Sequence, residues 1–266
     1  RRNWQRWQIN RQVRALIRQV ESGKPAPAAG TRPVVLFNAS TRLTGISLNA
    51  AFSLLTRLGL EQAGIPTVQF ACRGGMTRCV LGTDRTDPDK APPCSACIAQ
   101  TRSLVASAPV TWFDTPPDPS LAVRLEGLSV AELSEFTNPL SPNPYPLSPR
   151  GKGIGDRGVS SSAAKDGQGF APSPAGESRG SAPFPAGEGR GEVVPLGKLT
   201  LPALRWVLRR HHLADDEPTR FLLRQYILSA WNVAQEFFAL LEQENPQAVI
   251  VFNGQFFPEA TARWVA

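Results

Sequence analysis

Four short apolar runs, Val34–Asn38, Thr67–Cys72, Val110–Phe113 and Ala248–Phe252, restrict this chain to a small set of architectures. Each is rich in β-branched or aromatic residues and too short for a helix, and the first three are separated by stretches with apolar residues at helical spacing. The clearest of those stretches runs from about Ile46 to Gln62 and ends at Gly64 and Pro66, as helices commonly stop. A shorter one runs from Ile98 to Ser107. Strand, helix, strand, helix, strand at this spacing predicts a parallel sheet with right-handed crossovers, a Rossmann-like α/β fold with flanking helices. Ligands of such sheets bind at the carboxyl edge of the strands. The residues that follow each run are therefore candidates for function.

Farther along, Thr200 and Pro202 mark the start of a helix through Arg210, and Asp216-Glu217-Pro218 starts a longer one that reaches about Glu244. The apolar residues of the long helix, Leu223, Tyr226, Ile227, Ala230, Trp231, Ala234, Phe237, Phe238 and Leu241, recur at three- and four-residue steps and read as a packing stripe. Asn245-Pro246 stops it, and Pro258 opens a final helix. The stretch from Leu121 to Phe136 fits no element clearly. Residues 138–197 interrupt the pattern with proline, glycine and serine, including two near-copies of one decapeptide, APSPAGESRG from Ala171 and APFPAGEGRG from Ala182. Such composition buries too little apolar surface to offset chain entropy, so a disordered insert is expected, either a tether or a repeat lodged in a surface loop.

The chain thus divides into a basic helical lead-in (1–30), the first part of an α/β unit (31–137), the insert (138–197) and helices with a closing βα unit (198–266). It opens at Arg1 and closes at Ala266 inside an expected helix, so it reads as a piece of a longer protein.

All four cysteines, Cys72, Cys79, Cys94 and Cys97, lie in one loop of the α/β unit, residues 72–97, just after the second strand. Nothing in the sequence marks a secretory leader or a membrane span, which points to a reducing cytoplasm, where clustered cysteines are more often metal ligands or catalytic than disulfides. Zinc or an iron–sulfur cluster suits four thiolates, and the spacing does not separate the two. A pair of disulfides and reactive thiols stay open.

The net charge is +7, but six arginines fall within the first 18 residues. There Trp4, Trp7, Val13, Leu16, Ile17 and Val20 interleave with Arg6, Arg11, Arg14 and Arg18 as on a basic amphipathic helix. It either lies on an anionic membrane surface, at the inner face of the membrane, or packs on the sheet with its arginines solvated. Nucleic acid is not expected as a partner, because the cysteine loop holds Arg73, Arg78, Arg85 and Lys90 without an aromatic residue. His211 and His212 close a helix beside Arg209 and Arg210, where positive charge suits the helix dipole, and read as solvated helix-end residues.

The segment NPQAVIVFNGQFFPEATARWVA resembles an element of bacterial glycosyltransferase-like and capsule-polysaccharide biosynthesis proteins, a strand ending in Asn-Gly before a helix. VVLFNASTRLTGISLNAAFSLLTRLGLEQAGIPTVQFAC resembles their opening unit, and some of them follow it with a cysteine loop in which Cys72, Gly75, Cys79, Leu81, Gly82, Pro93, Cys94 and Cys97 occupy the matching places. The resemblance implies two Rossmann-like domains of the GT-B type facing a cleft. This chain would be the acceptor-side domain, and the nucleotide-sugar donor would be held by a second domain outside it. A glycan or lipid-linked acceptor is then the implied partner. Acceptor-facing candidates are Asn38, Ser40, Thr41 and Gly45 after the first strand and Asn253 and Gly254 after the last. Glu259 suits the first turn of the final helix, but no catalytic base is named. The competing reading is a non-enzymatic or redox metal-binding protein that uses the four-cysteine loop.

Overall fold

A computed structural model describes residues 2–39, 48–84, 86–87, 90–105, 108–140 and 193–266. The four apolar runs form the expected strands, β1 (Val34–Phe37), β2 (Thr67–Cys72), β3 (Val110–Phe113) and β6 (Ala248–Val251). They make one parallel sheet in the order β3-β2-β1-β6. The chain moves outward from β1 to β2 through α2 (Leu48–Gln62) and on to β3 through α3 (Cys94–Val105). It then returns to add β6 on the far side of β1. The order reverses between β1 and β6, which makes the carboxyl ends of those two strands the switch point of the sheet.

Alternate residues of the strands serve opposite faces. Val35, Phe37, Val68, Phe70 and Phe113 enter the main core with α7 (Glu217–Glu244), while Ala71, Val110 and Trp112 pack with Val105 of α3 on the other side. Both faces are covered, which is why the strands read as continuous apolar runs. The α7 stripe predicted from spacing is the buried side of that helix, with Phe238 and Leu241 at its half-buried margin. On the opposite face α1 (Arg2–Ser22) lays Ile17, Val13 and Val20 against Leu54, Leu58 and Leu104. Packing on the helices that flank the sheet is therefore the observed role of those α1 positions. Trp4, Trp7, Ile9 and Leu16 stay exposed.

Four sequence expectations need adjustment. The helix expected from Ile98 begins earlier, at Cys94, so Cys94 and Cys97 sit in the first turn of α3 at the end of the cysteine loop. The unassigned stretch contains α4 (Pro119–Leu125), capped by Asp118, and α5 (Val130–Ser134), opened by a capping box of Ser129 and Glu132. Both are too short to show a helical period, and their caps carry the signal. The next helix, α6, spans Leu196–Leu208 and so begins before Thr200, with Pro202 inside it. Its first turn presses on α5 so closely that a Cβ on Gly197 would meet the Leu133 carbonyl oxygen at 2.2 Å. The insert is also narrower at both ends than its composition suggested, because β4 (Asn138–Pro139) pairs antiparallel with β5 (Val193–Val194). The expected disorder of the rest, 141–192, lies outside the described residues.

Candidate functional site

Beyond the carboxyl ends of β1 and β6 lies a cavity of about 280 Å³, close to the lower bound of small-molecule sites. Asn49 at the start of α2, Cys79 of the cysteine loop, Trp206 of α6 and Phe252, Asn253 and Glu259 beyond β6 are among its walls. Asn253 and Gly254 both adopt left-handed backbone, with φ of 56° and 62°. Asn253 tolerates it because its Oδ1 accepts the Gln255 amide at 2.8 Å, and Gly254 carries no Cβ to clash. This turn directs the chain into α8 (Glu259–Val265) and sets Glu259 in the cavity. The walls around Glu259 are largely apolar, and burial pushes its carboxyl from the ordinary 4.5 up to about 7, against a small downward pull from a backbone hydrogen bond. Spacing had shown only that a carboxylate suits this first turn. The strand reversal, invisible in local sequence, is what brings Glu259 to the switch point.

Of the acceptor-facing candidates, Asn253 lines the cavity and Gly254 shapes its turn. Asn38 is buried at the end of β1, where its amide extends the ladder to the Phe70 carbonyl at 2.9 Å, and it is not among the lining residues. Ser40, Thr41 and Gly45 lie outside the described residues. His211 and His212 are exposed beyond the end of α6, as solvated helix-end residues.

The cysteine loop forms part of the cavity wall and is held by polar groups of α7. Thr77 Oγ1 donates to the Gln225 carbonyl at 3.0 Å, the Arg78 amide donates to Ser229 Oγ at 3.1 Å, and the Tyr226 hydroxyl donates to Thr83 Oγ1 at 3.0 Å. Asn232 Nδ2 donates to the carbonyls of Gly75 and Thr115 at 2.9 and 3.0 Å. Two glycines of the loop have no room for a side chain: a Cβ on Gly75 would strike the Phe113 ring at 2.5 Å, and one on Gly82 would meet Pro92 at 2.7 Å. Hydrophobic periodicity finds the apolar stripe of α7 but misses these buried polar residues, since their partners are more than a hundred residues away in sequence.

All four cysteines are free thiols, so the pair of disulfides is not formed. Burial pushes Cys72 up to about 11 and Cys79 up to about 12, and Cys94 is raised for the same reason. The other three thiols add to the upward push on Cys79, so each of them acts electrostatically on that one thiol. Backbone amides work in the opposite direction. Gly74 N–H donates to Cys72 Sγ at 3.3 Å and Gly82 N–H to Cys79 Sγ at 3.2 Å, and the amides of Met76 and Gly75 also lower Cys72. Among the described residues no three His, Cys, Asp or Glu side chains are gathered as a coordinating set for a metal ion.

These features define a parallel α/β domain with a small crevice at its topological switch point and a thiol-rich loop along one wall. Comparison with protein-family models, curated proteins and solved structures finds no match. Among the described residues no helix is long and apolar enough to cross a membrane.

Proposed function

We propose that this chain is the acceptor-side domain of a glycosyltransferase-like enzyme of bacterial surface-polysaccharide assembly, and that the acceptor glycan sits in the crevice between β1 and β6. The observation that carries the reading is the position of Glu259 in that crevice, beside Asn253 and the aromatic wall of Trp206 and Phe252. Aromatic faces with a few fixed polar groups suit a sugar, which offers apolar C–H patches and hydroxyls together. A carboxyl near neutrality suits a general base. Glu259 takes the proton of an acceptor hydroxyl as that oxygen bonds to the anomeric carbon of a nucleotide-sugar, and the bond to the nucleotide diphosphate breaks with its electron pair. The donor is assigned, by resemblance, to a second domain outside this chain. Work at the cytoplasmic face, with α1 near the membrane, belongs to the same reading.

Titration of neutral oligosaccharides against tryptophan fluorescence tests it, with Trp206→Phe as the reporter control. The expected result is a saturable change that Trp206→Phe abolishes and Glu259→Gln weakens. Saturation that is indifferent to both substitutions would sink the assignment of the crevice.

A second reading concerns the loop, and the amides aimed at Cys72 and Cys79 favour it. Hydrogen bonds of this kind stabilise thiolates, which metal binding requires. We infer that the loop closes on a zinc ion as a clip, drawing the thiols closer together than they stand here. Metal analysis of protein prepared under reducing conditions checks this: zinc near one equivalent, lost in Cys94→Ser/Cys97→Ser, is expected, and metal-free protein of unchanged thermal stability would reject it.

A further inference from the structure

Away from the sheet's carboxyl edge, α1 and α3 enclose a larger cavity of about 650 Å³ whose walls carry Arg11, Arg14, Arg18 and Arg102. Arg11, Arg14 and Arg18 follow Trp7 at steps of four, seven and eleven residues, so they share one face of α1. The fourth guanidinium comes from a different helix. Ile17, 1% exposed, packs on Leu104 of α3, and this contact fixes how the α1 stripe meets Arg102, two residues earlier on that helix. Glu21, the one carboxylate among the described lining residues, is committed to Arg57 at 3.2 Å.

Like charges sharing a concavity repel one another, and a multivalent anion removes that penalty. Guanidinium forks match phosphate oxygens two at a time. The cavity is larger than one phosphate needs, and the Trp7 ring, with Arg11 lying over it at 5.5 Å, offers a surface for an attached apolar or planar group. We propose that the α1–α3 cleft binds clustered phosphate groups, presented either by a soluble polyphosphorylated ligand or by anionic lipid headgroups. The proposal is independent of the crevice at β1 and β6.

Arg102 distinguishes a built cleft from a merely basic helix, because it lies outside the α1 stripe. The four arginines are exposed, so their replacement leaves the folded core intact. The probes are tripolyphosphate, followed by calorimetry, and phosphatidylcholine vesicles with and without phosphatidylglycerol, followed by sedimentation. Arg102→Ala and Arg14→Ala/Arg18→Ala are each expected to weaken binding about tenfold, as loss of charge-assisted hydrogen bonds does. Arg205→Ala, an exposed arginine on α6, serves as the control and leaves binding unchanged. Capture of tripolyphosphate identifies a soluble ligand, and capture only by phosphatidylglycerol vesicles identifies a lipid, provided that Arg102→Ala weakens it. Binding to neither probe, binding indifferent to Arg102, or an equal loss in Arg205→Ala overturns the proposal.

Discussion

On the face covered by α7, Phe37, Phe70 and Phe113 lie side by side across three strands, with ring centres 5.4 and 4.9 Å apart, and Phe237 meets the first two edge-on. On the face covered by α1, α2 and α3 the central contact is ionic. Arg57, 1% exposed, pairs with Glu61 at 3.3 Å and Glu21 at 3.2 Å and donates to the Leu104 carbonyl, while Thr67 donates to Glu61 at 2.8 Å. Stacked rings contribute through area and shape and accept small shifts. A buried ion pair acts through geometry, since either partner left alone is costly. The aromatic face supplies cohesion, and the ionic face fixes where α1 sits relative to α2, α3 and β2.

Substitutions that separate cohesion from placement sharpen this contrast. Phe70→Ala should have the largest effect, about 4 kcal/mol, because it removes the ring shared by three aromatic contacts. Denaturant unfolding measures it, and a loss below about 1 kcal/mol would mean that the ladder is not the centre of the core. Arg57→Met should cost about 3 kcal/mol by leaving buried Glu61 with only the exposed Lys24, at 3.5 Å, as a cationic partner, and Arg57→Met/Glu61→Leu should recover much of that. A double variant no better than the single one would show that the pair contributes attraction rather than orientation.

A pH test addresses the crevice. Glu259 has a folded pKa of about 7 against an ordinary 4.5, so the folded state holds this proton more tightly than the unfolded chain does. Its contribution to stability is most favourable below the ordinary value, falls as pH rises towards about 7, and is level above that. Glu259→Gln should match the parent near pH ~4 and exceed it by on the order of 2 kcal/mol at pH ~8. Parallel stability curves for the two proteins would place the carboxyl in open solvent. The smallest effect is expected from Asn232→Ala, about 1–2 kcal/mol, because it leaves the Gly75 and Thr115 carbonyls without their donor. Exchange of the loop's backbone amides should rise more than that of the β1–β2 ladder.

Much of the fold is legible in the sequence because parallel strands buried on both faces leave runs such as VVLF and AVIV, and their crossovers leave helical periods. The cysteine loop at the end of β2 is legible for the same reason. Arg57, Ser229 and Asn232 are not, because each sits on a helix at a position whose meaning depends on a distant segment. Glu259 shows only its fit to a helix start. Its place beside Trp206 follows from β6 joining β1, a pairing between residues more than two hundred positions apart. Pro202 misled the start of α6 because proline is common in a first turn, yet this helix begins earlier and tolerates it.

The short β4–β5 pairing brings the flanks of the composition-biased segment together, with Pro139 opposite Val193. Entry and exit therefore share one doorway on the domain. Closing a chain between fixed ends grows more costly only as the logarithm of its length, about 0.6 kcal/mol for each doubling. In evolutionary terms the doorway is a permissive acceptor: in-frame sequence can arrive there, duplicate or be excised while the sheet and its crevice keep the same connections.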